Sequence, residues 1–354
     1  MHPQPAVLGW SQFRPSADAH GGNARSEQIA ALVAKAGFVY SVIDRTGVGH
    51  PVADRLGGVA QRVLHPGRWR GISASLLGYY LALLGRAMRS HEGPRVLLCE
   101  DTTLPVPLWC ARAHGFKTIA LPHNVESLTG SGSDLRNLDA EFQAMRQADA
   151  IFCISDEDAW LWANLGLEAR VLPYGPVGKR RGRLEEIAAS RAHTPPPDSP
   201  WLILGTAYNA PTREGMSTVL RWLAPALLEG LPLVVAGHGS ESLADGAPPG
   251  VTFAGSLSDD SLDALLRRAR GLIVHQDRGT GALTRIPEAL AAGLPVLASR
   301  LAARSTGSME GVSRYSTASD LLALLRSPAI PARAVAEPEG TEFLARLQHL
   351  CRAS

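Results

Sequence analysis

The sequence predicts an α/β protein of two domains, each with a mostly parallel β-sheet between layers of helices. Short apolar runs of strand length alternate with helical stretches along the whole chain, which is the pattern of βαβ units. The 354 residues, of which 45% are hydrophobic and 19% charged, are enough for two domains with a core each. A change of composition over residues 176–200, which ends in Pro195-Pro196-Pro197, predicts a linker between the domains.

Six strands are predicted in the first half of the chain. Apolar runs indicate Ala6–Trp10, Phe38–Ile43, Val96–Cys99, Thr118–Leu121, Ala150–Ile154 and Ala169–Leu172. Helices are predicted at Ala24–Lys35, at Leu135–Gln147 and in the segment with Trp160 and Trp162 that ends near Gly166. Ser155 has the form of an N-cap for that last helix, because acids fill the first turn behind it.

The second half repeats the alternation of strands and helices. Its strands are predicted at Trp201–Leu204, Leu233–Ala236, Val251–Phe253, Leu272–Val274 and Val296–Ala298. Its helices include Ser261–Arg270 and a final helix, Glu342–Cys351. We therefore expect a first domain at residues 1–175, a linker at 176–200, a second domain at 201–340 and a C-terminal helix at 341–354. The basic cluster of residues 179–183 in the linker is interpreted as solvated.

Composition and charge argue against several classes of protein. The net charge of +2 is small and Lys and Arg are scattered, so no nucleic-acid partner is expected. The four cysteines form no Cys-x-x-Cys pair, which indicates reduced, mostly buried thiols. Acids at 156–158 are explained by the helix dipole, so no metal site is predicted. The N-terminus lacks signal-peptide features, and we expect a cytoplasmic protein.

The uncharged run Gly71–Gly85 is too short to span a bilayer. It is flanked by Arg68 and Arg70 on one side and by Arg86 and Arg89 on the other, which suits a helix at an anionic membrane surface. A helix that is apolar nearly all round is more typical of a protein core, and burial is the better interpretation. Peripheral contact with the inner face of the membrane stays as the alternative, together with a lipid-linked acceptor.

The stretch Gly279–Val296 carries the strongest signal of a ligand site. Pro287 suits a first helical turn, and Gly293 followed by Pro295 supplies a stop, so a short helix is predicted over Arg285–Ala292. Its N-terminus follows a Gly-Thr-Gly loop. Free amide groups at a helix N-terminus attract anions, and glycines let a ligand approach the backbone closely.

The ligand that these features favour is a nucleotide diphosphate. Gly279, Thr280 and Gly281 form the loop, and Arg285 adds a cation for phosphate. Glu288 would be repelled by phosphate unless it met hydroxyl donors, and the vicinal hydroxyls of a ribose supply them.

In the order of its sequence features, the stretch Gly279–Val296 resembles the donor-site signature of glycosyltransferases of the GT-B fold, in particular the retaining group around family 4. That signature joins a glycine-rich turn, a basic residue and Glu-Ala-Leu-Ala-x-Gly-x-Pro-Val, as here from Glu288 to Val296. Members often carry a second glutamate where this chain has Thr280, and others have Gly-Thr-Gly there. The resemblance implies two Rossmann-like domains facing across a cleft, and a terminal helix that crosses back to the first domain.

Loops at the carboxyl ends of strands are expected to complete the donor site. Gly205 and Thr206 end the first strand of the second domain, and Arg213 would supply a second cation for phosphate. Gly21 and Gly22 lie between the first predicted strand and its helix, where a flexible connection is the alternative. The resemblance implies a glycine-rich loop there, beside the donor phosphates and the acceptor.

His123 is the first-domain residue that we expect at the reaction centre. It follows a predicted strand in the segment Pro122-His123-Asn124-Val125-Glu126, although a lone histidine is more often a structural hydrogen bonder. The segment resembles the family's acceptor-side loop, whose histidine reaches towards the donor sugar. The predicted catalytic residues are thus His123, Arg285 and Glu288.

The resemblance implies a glycosyltransferase that moves a sugar from a nucleotide-diphosphate sugar to a hydroxyl of a glycan, lipid-linked or small-molecule acceptor, as in polysaccharide biosynthesis. The family retains the anomeric configuration, and no metal or cofactor beyond the donor co-substrate is expected. Arg213, Arg285 and the helix N-terminus would stabilise charge on the leaving diphosphate. Two alternatives stay open: a nucleotide-sugar epimerase of the same fold, and an inactive nucleotide-sugar-binding or scaffold protein, which the departure at Thr280 keeps open.

Overall fold

The structure, a computed structural model, consists of two compact units. It describes residues 4–13, 21–45, 52–65, 69, 72–129, 135–191, 195–196, 198–327, 332 and 336–354. Unit 1 comprises Met1–Leu128, Gly132–Leu172 and Glu339–Ser354, and unit 2 comprises Thr129–Ser131 and Pro173–Pro338. The C-terminal segment therefore belongs to unit 1, as the resemblance implied.

Strands and helices alternate along both units. The strands are β1 (Ala6–Trp10), β2 (Val39–Val42), β3 (Val96–Cys99), β4 (Lys117–Ala120), β5 (Ala150–Cys153), β6 (Ala169–Val171), β7 (Trp201–Leu204), β8 (Leu233–Ala236), β9 (Val251–Gly255), β10 (Gly271–Val274), β11 (Val296–Ser299) and β12 (Val312–Tyr315). The helices are α1 (Gly21–Lys35), α2 (Val52–Leu64), α3 (Ala74–Arg89), α4 (Val106–Ala113), α5 (Leu135–Met145), α6 (Asp156–Asn164), α7 (Gly178–Ser190), α8 (Ala210–Leu228), α9 (Asp259–Arg268), α10 (Arg285–Ala291), α11 (Ala318–Arg326) and α12 (Thr341–Arg352).

The sheet of unit 1 is parallel, with strand order β2-β1-β3-β4-β5-β6. Its central strands are apolar on both faces because helices cover both. In β3, Leu97 and Cys99 join one apolar cluster, whereas Val96 and Leu98 join the other. The chain order reverses between β1 and β3, and crevices that bind ligands form at the carboxyl ends of strands at such a point.

Helix α3 lies in the core of unit 1. Leu77 and Leu84 are fully buried, and the helix begins behind Ser73, whose side chain accepts the N–H of Leu76. This agrees with the interpretation of the run Gly71–Gly85 as a buried helix, since its apolar side chains face protein. Arg68, Arg70 and Gly71 lie outside the described residues. In the part of the chain that the structure describes, no helix is long and apolar enough to cross a bilayer.

Helix α12 packs its apolar side onto unit 1. Phe343 and Leu347 are buried in the same cluster as Ile29 of α1, and the ring of Phe343 meets that of Phe152 edge-on at 5.6 Å between centroids. Gly340, at φ +60°, turns the chain into the helix. The last helix thus completes the core of the first unit.

The sheet of unit 2 is also parallel, with strand order β12-β11-β10-β7-β8-β9. The order reverses between β7 and β10, so their carboxyl ends form the ligand-binding edge expected of such a sheet. The residues that follow these two strands and lead into α10 are those that the sequence singled out.

Several elements differ from the prediction, and helices α2, α4 and α8 had no predicted bounds. Helix α1 begins at Gly21 rather than Ala24. Part of the segment predicted as linker forms α7, which packs on α9 and α10 within unit 2. Strand β12 and helix α11 were not predicted, because β12 is a short edge strand with two polar residues. The start of α11 is nevertheless marked by a capping box between Thr317 and Asp320.

Candidate functional site

The carboxyl end of β7 is shaped by glycine. Gly205 has φ +155°, a conformation that residues with a side chain rarely adopt. A Cβ atom at Gly205 would overlap the Nη1 atom of Arg285, and one at Gly237 would overlap the carbonyl oxygen of Gly205. Glycine at position 205 therefore lets a guanidinium group lie against the end of the strand.

Arg285 is the first residue of α10, and it is partly buried at this point. Its Nη1 donates to the carbonyl of Leu204 at 3.1 Å, whereas its buried Nε has no hydrogen-bond partner among the described residues. Within the same described ranges no carboxylate forms an ion pair with it. Burial and, second, the charge of Arg304 lower its pKa to about 10, so it stays protonated at neutral pH. A partly buried cation without a carboxylate suits an incoming anion.

The loop Gly279–Gly281 is held by a second arginine. Arg304 is buried and donates from Nη2 to the Thr280 carbonyl at 2.7 Å and to Gln276 Oε1 at 2.9 Å. Its Nε donates to the carbonyl of Gly281. Gly279 and Gly281 both have positive φ, so the loop needs glycine at these positions. Arg304 was not predicted, because it follows β11 and lies beyond the motif.

Glu288 lies in the first turn of α10. Its Oε1 accepts a hydrogen bond from the Tyr174 hydroxyl at 2.7 Å and lies 3.5 Å from Nη1 of Arg180. Its side chain is 24% exposed. The carboxylate is thus oriented by two residues from the start of unit 2 that were not predicted to take part.

The contact with Arg180 shows that the basic cluster at 179–183 is not simply solvated, so that interpretation is wrong. Arg183 also pairs with Asp263 at 2.6 Å and with Asp259 at 3.0 Å, and Arg181 pairs with Glu185 at 2.7 Å. The pairs of Arg183 with α9 and the contact of Arg180 with Glu288 form because α7 lies against α9 and α10, an arrangement that the linker's composition did not reveal. The pair of Arg181 and Glu185 lies within α7.

Thr206 and Arg213 follow β7. Thr206 Oγ1 donates to the carbonyl of His238 at 3.5 Å, and Arg213 is exposed in the first turns of α8. Helix α8 begins behind Asn209, whose side chain accepts the N–H of Thr212. The donor-site residues predicted in the second domain thus gather at the carboxyl edge of the unit 2 sheet, with Arg213 at its exposed side.

Polar side chains also gather at the carboxyl edge of the unit 1 sheet. Glu100 follows β3 with its side chain 1% exposed, and its Oε2 lies 2.9 Å from Nε2 of His123. The same oxygen accepts from Ser26 Oγ at 2.5 Å, and Oε1 accepts from the Tyr40 hydroxyl at 2.6 Å. Burial and, second, the charge of Glu100 raise the pKa of Tyr40, which therefore remains a donor. His123 was predicted as a site residue. Glu100 was not, because a single glutamate after a strand does not by itself indicate a site.

Gly21 and Gly22 lie in the first turn of α1, and the expectation of a glycine-rich loop at these residues is wrong. The reason is packing: a Cβ atom at Gly22 would overlap the ring of Phe13. That ring stacks on the imidazole of His123, with centroids 5.0 Å apart and planes 23° from parallel. Gly22 therefore makes room for the aromatic ring that packs on His123, and a role beside phosphate stays a prediction.

The chain after His123 is anchored by Glu141 of α5. Its carboxylate accepts the backbone N–H groups of Glu126 and Ser127, both at 3.1 Å, and the Ser127 hydroxyl at 2.8 Å. These amide groups open a single 3₁₀ turn, Glu126–Leu128. Burial raises the pKa of Glu141 to about 6. The buried carboxylate thus fixes the loop on which His123 lies.

Acids at the start of α6 act as the sequence predicted. Ser155 accepts the N–H of Asp158 through its side chain, and Asp156, Glu157 and Asp158 fill the first turn. In the described ranges no group of three or more His, Cys, Asp and Glu side chains is placed to hold a metal ion. Cys99, Cys110 and Cys153 are buried free thiols.

Comparison with known proteins identifies relatives of unit 2 and of the whole fold. Residues 201–324 match the family described as glycosyl transferases group 1. No curated protein sequence matches the chain at a significant level.

Several solved structures share the fold over nearly the whole chain. The α,α-trehalose 6-phosphate synthase of Burkholderia multivorans has a TM-score of 0.64 at 13% identity, over 99% of this chain and 97% of that one. The sucrose-phosphate synthase of Thermosynechococcus elongatus has a TM-score of 0.60 at 17% identity, over 98% of this chain and 97% of that one. HepE of Anabaena, crystallised with UDP and glucose, has a TM-score of 0.58 at 12% identity, over 99% of this chain and 94% of that one.

These comparisons confirm the predicted GT-B fold of two α/β units with parallel sheets. The match of residues 201–324 to glycosyl transferases group 1 confirms the predicted class, a glycosyltransferase. The roles of individual residues stay predictions.

Proposed function

We propose that the protein transfers a sugar from a nucleoside diphosphate sugar to an acceptor hydroxyl in the cytoplasm, with retention of configuration and without a metal ion. Unit 2 binds the nucleotide at the loop Gly279–Gly281 and the start of α10, and unit 1 presents the acceptor. The likeness to HepE, crystallised with UDP and glucose, supports a uridine nucleotide as the first donor to test.

The observation that carries this proposal is the guanidinium of Arg285, which is partly buried and whose Nε is fully buried without a hydrogen-bond partner among the described residues. Burying a charge is costly unless a partner compensates it, and Arg285 has no carboxylate partner in the described residues. Arg304 adds a second positive charge to the same edge, which makes the cost greater. The negative charge of a bound diphosphate would compensate the positive charges of both arginines. The site is therefore better explained as a binding site for an anion than by internal packing.

The same geometry suits the chemical step. As the bond from the anomeric carbon to the diphosphate oxygen breaks and the bond to the acceptor oxygen forms, negative charge grows on the leaving diphosphate. Arg285 lies where that charge would develop, and the charge of Arg304 lies close by. Cations already in place stabilise the transition state without reorganisation.

A nucleotide screen tests the proposal. Thermal unfolding is measured with UDP, GDP and dTDP, because a ligand at about 100 times its Kd stabilises the native state by about 2.7 kcal/mol. That should raise Tm by roughly 2–4 °C for each kcal/mol. The nucleotide that binds is then supplied as its sugar derivatives, with and without acceptors. Donor conversion without any acceptor would favour the epimerase, and binding without turnover would favour the scaffold.

The role of Glu288 leads to a prediction on donor affinity. If the carboxylate binds the ribose hydroxyls, Glu288→Ala should weaken nucleoside diphosphate binding by about 1.5–3 kcal/mol, the range for hydrogen bonds to charged groups. Titration calorimetry measures it. Tyr174→Phe removes the internal hydrogen bond from the hydroxyl to Glu288 and should cost less, and Glu229→Ala, at an exposed carboxylate of unit 2, should change nothing. Equal affinity of Glu288→Ala and the parent would exclude the ribose contact.

We also propose that peripheral membrane contact, if the acceptor is lipid-linked, is made by α2. Helix α3 is buried, and α2 packs on it through Gly58, where a Cβ atom would overlap the Ala74 carbonyl. Large apolar side chains of α2 are between 48% and 73% exposed: Leu56, Val59, Val63 and Leu64. Arg62, also exposed, suits an anionic headgroup.

Vesicle co-sedimentation tests this contact. Binding to anionic vesicles should fall several-fold in the double variant Val63→Ser, Leu64→Ser, because about 0.8 kcal/mol is lost for each buried CH₂. Leu228→Ser, at a residue of unit 2 that is 75% exposed, is the matched control and should bind like the parent. Parental protein that stays in solution at low salt would remove the membrane from the proposal.

A further inference from the structure

We infer that Glu100 is the positioning residue of His123: it holds the imidazole as the Nε2–H tautomer, so that Nδ1 is the nitrogen offered to the substrate. The inference rests on the proposed sugar transfer only for its effect on turnover. Its structural part concerns the proton on one ring nitrogen and stands on the geometry of unit 1 alone.

The direction of the hydrogen bonds follows from a chain of donors. The N–H of Phe13 donates to Ser11 Oγ at 3.0 Å, which leaves the Ser11 hydroxyl proton for Ser26 Oγ at 3.5 Å. Ser26 then donates to Glu100 Oε2. A hydroxyl that accepts from one neighbour and donates to the next fits an ionised carboxylate at the end of the chain.

The carboxylate of Glu100 can therefore act only as an acceptor towards His123. Oε1 is occupied by the Tyr40 hydroxyl, and Oε2 lies 2.9 Å from Nε2. A hydrogen bond at this distance requires the proton on Nε2. In the neutral ring Nδ1 then carries a lone pair. No hydrogen bond to Nδ1 occurs among the described residues, and the side chain is 12% exposed.

The ring is fixed on its face as well as at its edge. Phe13 stacks on the imidazole at 5.0 Å, and the absence of a side chain at Gly22 gives the phenyl ring its place. A ring that is hydrogen-bonded at Nε2 and stacked on one face keeps one orientation. The lone pair of Nδ1 can then accept a hydrogen bond, and we assign a hydroxyl group of a substrate as its donor.

The tautomer is measured without any substrate. In ¹H–¹⁵N correlation spectra of the imidazole rings, recorded where the ring is neutral, the two nitrogens have distinct shifts, and the His123 signals are identified by their loss in His123→Ala. We expect the parent protein to show Nε2–H for His123. A parent that shows Nδ1–H would overturn the inference whether or not any variant folds.

Variants then connect the tautomer to turnover. Glu100→Gln places an amide against Nε2, which should change the tautomer, as an amide does behind a catalytic histidine. We expect a loss of kcat of about tenfold or more with nucleotide affinity unchanged, and no further loss when His123→Ala is added. The matched control is Asp149→Asn. Asp149 accepts from Thr118 at the opposite end of β4, so its loss should lower stability and leave the tautomer unchanged.

The two proposals fail in different ways. Parental kcat in a folded Glu100→Gln protein with a changed tautomer would remove the positioning role. The expected tautomer and its change in Glu100→Gln, in a protein that transfers no sugar from any donor, would instead remove the proposed function and leave the role of Glu100 in place.

Discussion

Replacing Arg285 with Gln is expected to weaken nucleoside diphosphate binding by about 3 kcal/mol, roughly 150-fold in Kd. The value lies at the upper end for a charge-assisted hydrogen bond because the guanidinium is partly buried, so its charge is less screened by solvent than that of an exposed arginine. The neutral amide should also relieve an uncompensated, partly buried charge. The free protein is thus expected to keep its Tm or to gain stability, although the complex is weaker.

This opposite effect on stability and binding is the signature to measure. Calorimetry gives Kd, and thermal unfolding of the free protein gives Tm. Arg268→Gln, at an exposed arginine of α9, is the matched control and should alter neither. A loss of stability in Arg285→Gln with unchanged Kd would mean that the guanidinium serves its bond to the Leu204 carbonyl and not a ligand.

Replacing His123 with Ala is expected to lower kcat for sugar transfer by an order of magnitude or more while nucleotide affinity stays nearly unchanged. The reason is that His123 belongs to unit 1, whereas the proposed nucleotide contacts belong to unit 2. A positioned polar group at a reaction centre acts mainly in the transition state, so its loss appears in kcat rather than in binding.

The measurement compares initial rates at saturating donor with calorimetry of the nucleotide alone. Far-UV circular dichroism verifies the fold, since Glu100 loses a partner in the variant. His349→Ala, at an exposed histidine of α12, is the matched control and should transfer sugar at the parental rate. Transfer at the parental rate by His123→Ala as well would place the residue outside the reaction centre.

The fold class could be predicted from the sequence because the local preferences of its segments agree with their places in the folded protein. The apolar runs of β1, β3 and β7 match the strands residue for residue, since strands of a parallel sheet covered on both faces must be apolar throughout. Helix α10 could be recognised for a similar reason. Proline in its first turn and glycine after its end set both limits by backbone geometry alone.

Long-range contacts account for what the sequence did not reveal. Arg304 from one segment, and Tyr174 and Arg180 from another, reach the donor-site residues, and no spacing in the chain predicts such contacts. The basic cluster at 179–183 was interpreted as solvated for the same reason. The sequence alone does not show whether an arginine side chain faces water or pairs with a carboxylate.

The sequence by itself determined the alternation of strands and helices, the short helix α10, and the residue types of a phosphate site, because backbone preferences and hydrophobic periodicity act over a few neighbouring residues. Only the tertiary structure decided that Gly22 makes room for Phe13, that Glu100 faces His123, and that Arg285 is partly buried without a carboxylate. These facts depend on which strand ends meet at a sheet edge. That choice is made by the packing of the whole unit and not by any segment of it.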